Sequence, residues 1–257
     1  MRKNGLNLLG AVLALFFFSM AWVAEARENK EISKNYRQSA KKYRFTIDEK
    51  TKLPGHMSGI LLPINVIEKE LDRFFVALDD LGVSFVRKSG LKRVAICRDL
   101  TVNGKGVGGV AIGDCIYLNY GFSKKTVYHE MFHVFDPKRD NKAWIRLNHK
   151  DFLYRGAKSS SQELSERKQR DVQKHYAQVK LNFDADFVSM YAQTNEVEDR
   201  AETFAYMIAE GPRFLQRVRK SSVLYNKMLL IIEMTSRSSL LGKDFWRLKF
   251  GSQLVLK

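Results

Sequence analysis

Residues 129–133 read His-Glu-Met-Phe-His, and no other feature of the chain constrains its fold as tightly. On a helix, positions i and i+4 share a face. A helix over this segment lets His129 and His133 aim their imidazoles at one metal ion. Glu130 then stands beside them as a candidate general base for an attacking water, the arrangement used by metalloproteases. The bland alternative is two histidines on a half-buried helix face. A pentad with two free positions arises by chance in roughly one chain in a hundred of this length, so context has to decide.

The context favours a folded, exported protein. The chain has 257 residues, 45% of them hydrophobic, with 4 prolines and 2 cysteines. Those values exclude a disordered, low-complexity or collagen-like chain and a disulfide-dense miniprotein. Met1-Arg2-Lys3 is a basic head, Leu8 to Met20 an apolar run, and Ala24-Glu25-Ala26 a small-residue exit. This pattern predicts a secretory signal peptide over 1–26, with export to the periplasm or the exterior. An uncleaved membrane anchor is the alternative. Cleavage removes Arg2, Lys3 and Glu25 and takes the formal charge only from +16 to +15. The positive charge therefore belongs to the mature chain. In an oxidising compartment Cys97 and Cys115 either pair across neighbouring strands or stay as two buried thiols.

The rest of the chain predicts an α+β architecture: a small twisted sheet, then a helical region, with the helix of His129 and His133 at the junction. Residues 27–52 read as a basic, solvated lead-in, and 53–257 as one domain. Asn65 to Leu81 is amphipathic, with Gly82 as its stop. Val83–Val86, Val94–Cys97 and Cys115–Tyr120 read as strands around the turn-rich stretch 103–109. Val107 to Asp114 reads as either an edge strand able to pair with an extended peptide or an ordinary hairpin turn. Ser123 is a candidate cap for the helix of the pentad. Further helices are expected over 159–180, 195–210 and 222–235, the last two split at Gly211-Pro212.

A catalytic zinc site needs a third protein ligand and an open position. His56, His149 and His175 do not stand in an extended HExxHxxGxxH spacing. Asp136 lies on the same helix as the pentad, where it would have difficulty wrapping round the ion, and suits a supporting or salt-bridging role. Glu198 and Glu202 are better placed, four apart on one face of a helix that continues through Ala201, Phe204 and Ala205. Two buried carboxylates are expensive unless paired or metal-bound. One suits a zinc ligand, and the other suits a hydrogen bond to a ligand imidazole. A solvated acidic face is the alternative, since Glu196 and Asp199 are acidic too.

The run Tyr191-Ala192-Gln193-Thr194-Asn195-Glu196-Val197-Glu198, followed by Ala201, Glu202 and Phe204, resembles the zinc-ligand helix of anthrax lethal factor and its relatives. These belong to the gluzincin group, as do the Pro-Pro endopeptidases. The resemblance extends over roughly residues 125–235 and includes His129, Glu130, His133 and Asp136. It implies a zincin-like domain that hydrolyses peptide bonds with one Zn2+. His129, His133 and Glu198 would be the ligands, Glu130 the base, and Glu202 a support behind them. Tyr191 would donate a hydrogen bond at the catalytic centre. Two departures stand out. Phe132 occupies the place of a glycine, and 65 residues separate His133 from Glu198, more than in lethal factor. The extra residues fall in 141–180.

Two other functional classes fit the composition. A catalytically inactive zincin-like binding protein would keep the fold and lose the chemistry. An anionic-surface binder would use residues 27–52 with Arg213, Arg217, Arg219 and Lys220 against membrane or cell-wall polymer. No nucleic-acid motif is present, and the aromatics follow core periodicity.

Overall fold

The computed structural model describes residues 34–50, 52–136, 142–150, 152–155, 184–237 and 241–251. The expected signal peptide, the helix expected over 159–180 and most of the 141–180 insert lie outside these residues. No described helix is long and apolar enough to cross a membrane.

Burial starts earlier in the chain than its basic composition suggests. Residues 34–43 are helical (α1), and Thr46–Ile47 is a short strand (β1). Ala40, Tyr43, Phe45 and Ile47 are buried, and Phe45 meets Phe74 edge-on at 5.7 Å. The cations between them pair at the surface, Arg37 with Glu49 and Lys42 with Asp79. From residue 34 onward the supposed lead-in is thus part of the domain. Isolated apolar positions inside a basic run carry the burial, which composition alone averages away.

Strand β2 is Met57–Leu61, followed by a 3-10 turn at Ile64–Val66 and helix α2 at Glu68–Leu81. As its amphipathic sequence predicts, α2 buries one face: Leu71, Phe74, Leu78 and Leu81 are sealed in the core. Gly82 ends the helix at φ +80, a conformation that favours glycine. Val83–Val86, expected as a strand, falls instead in a two-turn helix, Val83–Ser89 (α3). Its β-branched run is overridden by packing: Phe85 stacks on Phe204 at 5.6 Å and touches Phe135 at 5.7 Å.

The open sheet is built on β3, Arg93–Val102. Strand β6 (Cys115–Asn119) runs parallel to its first half, and β5 (Gly109–Ile112) folds back antiparallel on β6. Strands β1 and β2 pair β3, and the short β4 (Lys105–Gly106) turns back onto its end. Gly109–Ile112 is thus both things that the sequence left open: one arm of a hairpin and the terminal strand of the sheet. Alternation sends Val94, Ile96, Ile116 and Leu118 into the main core under the helices. On the other face Ala95, Cys97, Cys115 and Tyr117 join Met57 and Leu100 in a smaller cluster.

The register settles the cysteines. Cys115 lies opposite Arg93, and Cys97 lies opposite Asn119. Cys97 and Cys115 are therefore offset by four residues on neighbouring strands, about 13 Å, beyond the ~7 Å Cα limit of a disulfide. Both are free, buried thiols. Thiol titration of the denatured, non-reduced protein should count two free thiols per chain; a count of zero would contradict this register.

Helix α4 (Lys124–Phe135) leaves the sheet after β6, and Ser123 caps it by accepting the Thr126 N–H at 3.1 Å. A short helix α5 (Lys142–Ile145) follows. The helical region ends in α6 (Glu196–Glu210), α7 (Phe214–Val218), α8 (Ser222–Arg237) and α9 (Lys243–Phe250). As expected, the chain breaks at Gly211-Pro212, here in a 3-10 turn. The architecture is α+β, with α4 between sheet and helices.

Candidate metal centre

Helix α4 lies between the sheet and α6 because it is apolar almost all round. Val127, Met131, Phe132 and Val134 are buried. Phe132 packs against Phe204 at 4.8 Å and Phe135 at 5.5 Å, pointing into the core. An aromatic ring is accommodated there because the residue faces away from the two histidines. On the other side, His129 and His133 turn toward α6.

The two helices run antiparallel, and their side chains meet in rungs. Glu198 faces His133, and Glu202 faces His129, with Nδ1 of His129 3.1 Å from Glu202 Oε1. Nε2 of His129 and Nε2 of His133 are 2.9 Å apart. Glu198 Oε2 lies 3.0 Å from the first and 3.2 Å from the second. Zinc with bonds of about 2.0–2.1 Å at tetrahedral angles needs donor atoms about 3.3 Å apart. The triangle of donors is close to that size, so the residues present fit the ion.

Two carboxylates compete for the third position. Glu130 belongs with His129 and His133 in a group whose ligand atoms all lie within 4.8 Å of one another. Its carboxyl, however, is buried against β5 and accepts a hydrogen bond from the Ala111 backbone. Glu198 Oε2 lies within 3.2 Å of a nitrogen of each imidazole and would complete a three-donor set, with Glu130 beside it.

The position of Glu198 follows from its helix start. Asn195 caps α6 and accepts the N–H groups of Val197 and Glu198 at 3.0 and 2.9 Å. Asp199, the next residue, is fully buried. It receives Trp144 Nε1, the Tyr154 hydroxyl and Lys227 Nζ, each at 2.8 Å. Trp144 and Tyr154 come from the 141–180 insert, so its described residues anchor the first turn of α6. Asp136, on the other side, pairs with buried Arg200 and ties the end of α4 to α6. Asp136 stands just past the end of α4, as its C-cap.

Glu202 is also held from behind. Ser189 donates to Glu202 Oε2 at 2.6 Å and accepts the Ala192 N–H at 3.1 Å. With Nδ1–H donating to Glu202, the neutral tautomer of His129 would present its Nε2 lone pair to a metal in the donor triangle. The 3-10 turn Tyr191–Gln193 that this network fixes brings the Tyr191 ring 5.8 Å from the His129 ring. Neither Ser189 nor the Asp199 hub was singled out from the sequence. Trp144, Tyr154 and Lys227 are too distant in the chain for any spacing to reveal them.

The electrostatics match the geometry. Burial opposes charge on His129, but Glu198 and Glu202 outweigh it and raise the imidazole to about 10. Burial also pushes Glu198 up, and hydrogen bonds from His129 and His133 overcome it, holding the carboxyl well below the usual range. A divalent cation at the same point would satisfy the same atoms. Glu130 is shifted the other way, raised chiefly by burial. Tyr191 is raised by its surroundings and then by the carboxylates of Glu198 and Glu130.

A cleft runs over this centre beneath the free edge of β5. Gly109 is the closest point: a Cβ there would stand 3.0 Å from Glu130 Cγ and Oε1 and 3.1 Å from Leu118 Cδ2. Any larger residue there would press on the Glu130 carboxyl, so glycine suits the close approach of β5.

No family model matches the chain, and no curated protein matches it. A likeness appears only in structure. The fold is shared with a solved Bacteroides caccae protein whose assignment as a zinc-binding metallo-peptidase is itself provisional. The two agree with a TM-score of 0.52 over 87% of this chain and 91% of that one, at 14% sequence identity.

Two substitutions test the centre. Glu198→Ala should sharply lower the zinc content of purified protein by elemental analysis; a full complement would move the third ligand elsewhere. Lys227→Met should destabilise the fold by about 3–5 kcal/mol in denaturant unfolding, because it strands a buried carboxylate. A loss below 1 kcal/mol would mean that Asp199 does not depend on it.

Proposed function

We infer that the protein is an exported zinc-dependent peptidase of the gluzincin type, with His129, His133 and Glu198 as ligands. One observation carries this reading: a single oxygen, Glu198 Oε2, sits within 3.2 Å of both imidazole nitrogens, with Glu130 beside it under an open sheet edge. The shared fold of the Bacteroides caccae protein supports it. The resemblance to lethal factor supports the assignment of Glu198, Glu202 and Tyr191. Export rests on the basic head, apolar run and Ala-Glu-Ala exit of residues 1–26.

Zinc, when bound, supplies a Lewis acid that polarises water and the scissile carbonyl. The chain does the rest. Glu130 takes a proton from the attacking water and returns it to the leaving amine nitrogen. Burial makes its carboxylate a stronger base than an exposed one, which suits the task. Tyr191, protonated because its surroundings disfavour the phenolate, donates a hydrogen bond to the oxyanion or the leaving group. Glu202 and Ser189 keep His129 in the tautomer that ligation needs. An extended peptide lies along β5, pairing with its free backbone groups.

An inactive relative would be expected to lack one of these groups, and here the whole set converges. Glu130→Gln should keep zinc and lose roughly 10²–10⁴ in peptide turnover. Tyr191→Phe should keep zinc and turn over more slowly. Near-normal hydrolysis by Glu130→Gln would sink the assignment.

A further inference from the structure

The rungs between α4 and α6 do not stop at the histidines. One turn before His129, Lys125 faces Tyr206, one turn beyond Glu202, with its ammonium 4.1 Å from the ring centroid. That ring is its direct partner among the described residues, and no carboxylate is paired with it. Lys125 nevertheless acts on Glu202 at a distance, helping to lower that carboxyl. A third rung thus ends, among the described residues, in an ammonium with no carboxylate in direct contact, about 6 Å along the helix from His129.

This lysine lines the cleft. The cleft has two lobes that meet at His129, Glu130 and Tyr191. One lobe, about 460 Å³, is walled by Val102, Val107, Val110 and Val197 and holds no cation outside the centre itself. The other, about 310 Å³, is floored by Lys125 and Thr126 and walled by the glycines 106, 108 and 109. The glycine wall offers backbone and space but no side chain to fill the lobe. Glu130 and Glu202 line it too, but Glu130 is engaged by the Ala111 backbone and Glu202 by His129 and Ser189. Among the described residues Lys125 is thus its one ammonium and the group placed to meet a substrate carboxylate. A residue of extended peptide spans about 3.4 Å, so Lys125 reaches a side chain one or two positions from the scissile bond.

We propose that the cleft reads substrate on both sides of the cut: an apolar residue in the valine lobe and a carboxylate side chain against Lys125 in the glycine lobe. This rests on the peptidase reading for its placement of the scissile bond. The binding it describes is measurable without turnover.

The test uses zinc-loaded Glu130→Gln protein and labelled decapeptides of Ala and Gly. Each carries one Leu and a single Glu, Gln or Lys stepped through the positions on either side. Glu should bind up to about fivefold more tightly than Gln at one or two positions on one side of Leu only, as a partly exposed ion pair allows. The ratio should shrink as salt rises. Adding Lys125→Met should bring it to one, Lys125→Glu should invert it toward Lys, and Lys125→Arg should restore it. Lys69→Met, exposed on the outer face of α2, removes the same charge elsewhere and should leave the ratio intact. A preference for Glu independent of position, or one that survives Lys125→Met, overturns the proposal; so does absence of binding by every peptide. If Lys125-dependent binding is found but the wild-type protein hydrolyses none of these peptides, the subsite stands and the peptidase reading fails.

Discussion

Asp199 is withdrawn from water entirely, and a lone carboxylate in that position would cost several kcal/mol. Lys227 from α8 and Trp144 and Tyr154 from the insert converge on its Oδ2, so α8, the insert and α6 are committed to one oxygen. The commitment fixes the first turn of α6. Glu198 precedes Asp199 on that turn, so the constraint is passed directly to the donor triangle. The same logic recurs at Glu202, which is matched by His129 on one side and Ser189 on the other. The acidic face of α6 is an interior surface, and each neighbour that compensates a carboxylate also locates an element of the site.

The parts that were legible in the sequence are those whose signal is local. Two histidines and two glutamates at spacing four announce helical faces, Ser123 announces a helix start, and the Gly211-Pro212 break announces an end. What escaped depends on contacts distant in sequence. Val83–Val86 has the residue types of a strand and becomes helical because Phe85 finds Phe204 and Phe135. Ala40, Tyr43 and Phe45 are hidden among basic residues. Cys97 and Cys115 do lie on neighbouring strands, but parallel pairing, which no pairwise spacing discloses, sets them four residues out of step. Ser189 had no motif to mark it, and its role exists only because the Tyr191–Gln193 turn folds back over Glu202.

A structural likeness at 14% identity, without a sequence family, is understandable in these terms. The centre needs a helix pair at one spacing and about half a dozen side chains. Phe132, a large aromatic beside the second histidine, is absorbed by the core behind the helix. Much of the sequence is thus free to drift while the geometry holds.

Strand β5 ends the sheet, and a bare edge invites other chains to add to it. Its hydrogen bonds to β6 alternate, so Gly109 and Ala111 face outward. The Ala111 N–H is already engaged by Glu130, so the outward groups left on this four-residue strand suit one short extended peptide and not a long added strand. The carboxyl proposed to move protons therefore also guards the edge. A second copy of the chain would have to displace a buried acid to gain a few backbone bonds. That is a poor exchange for an aggregating strand, and it protects the protein at the very place it has to leave open.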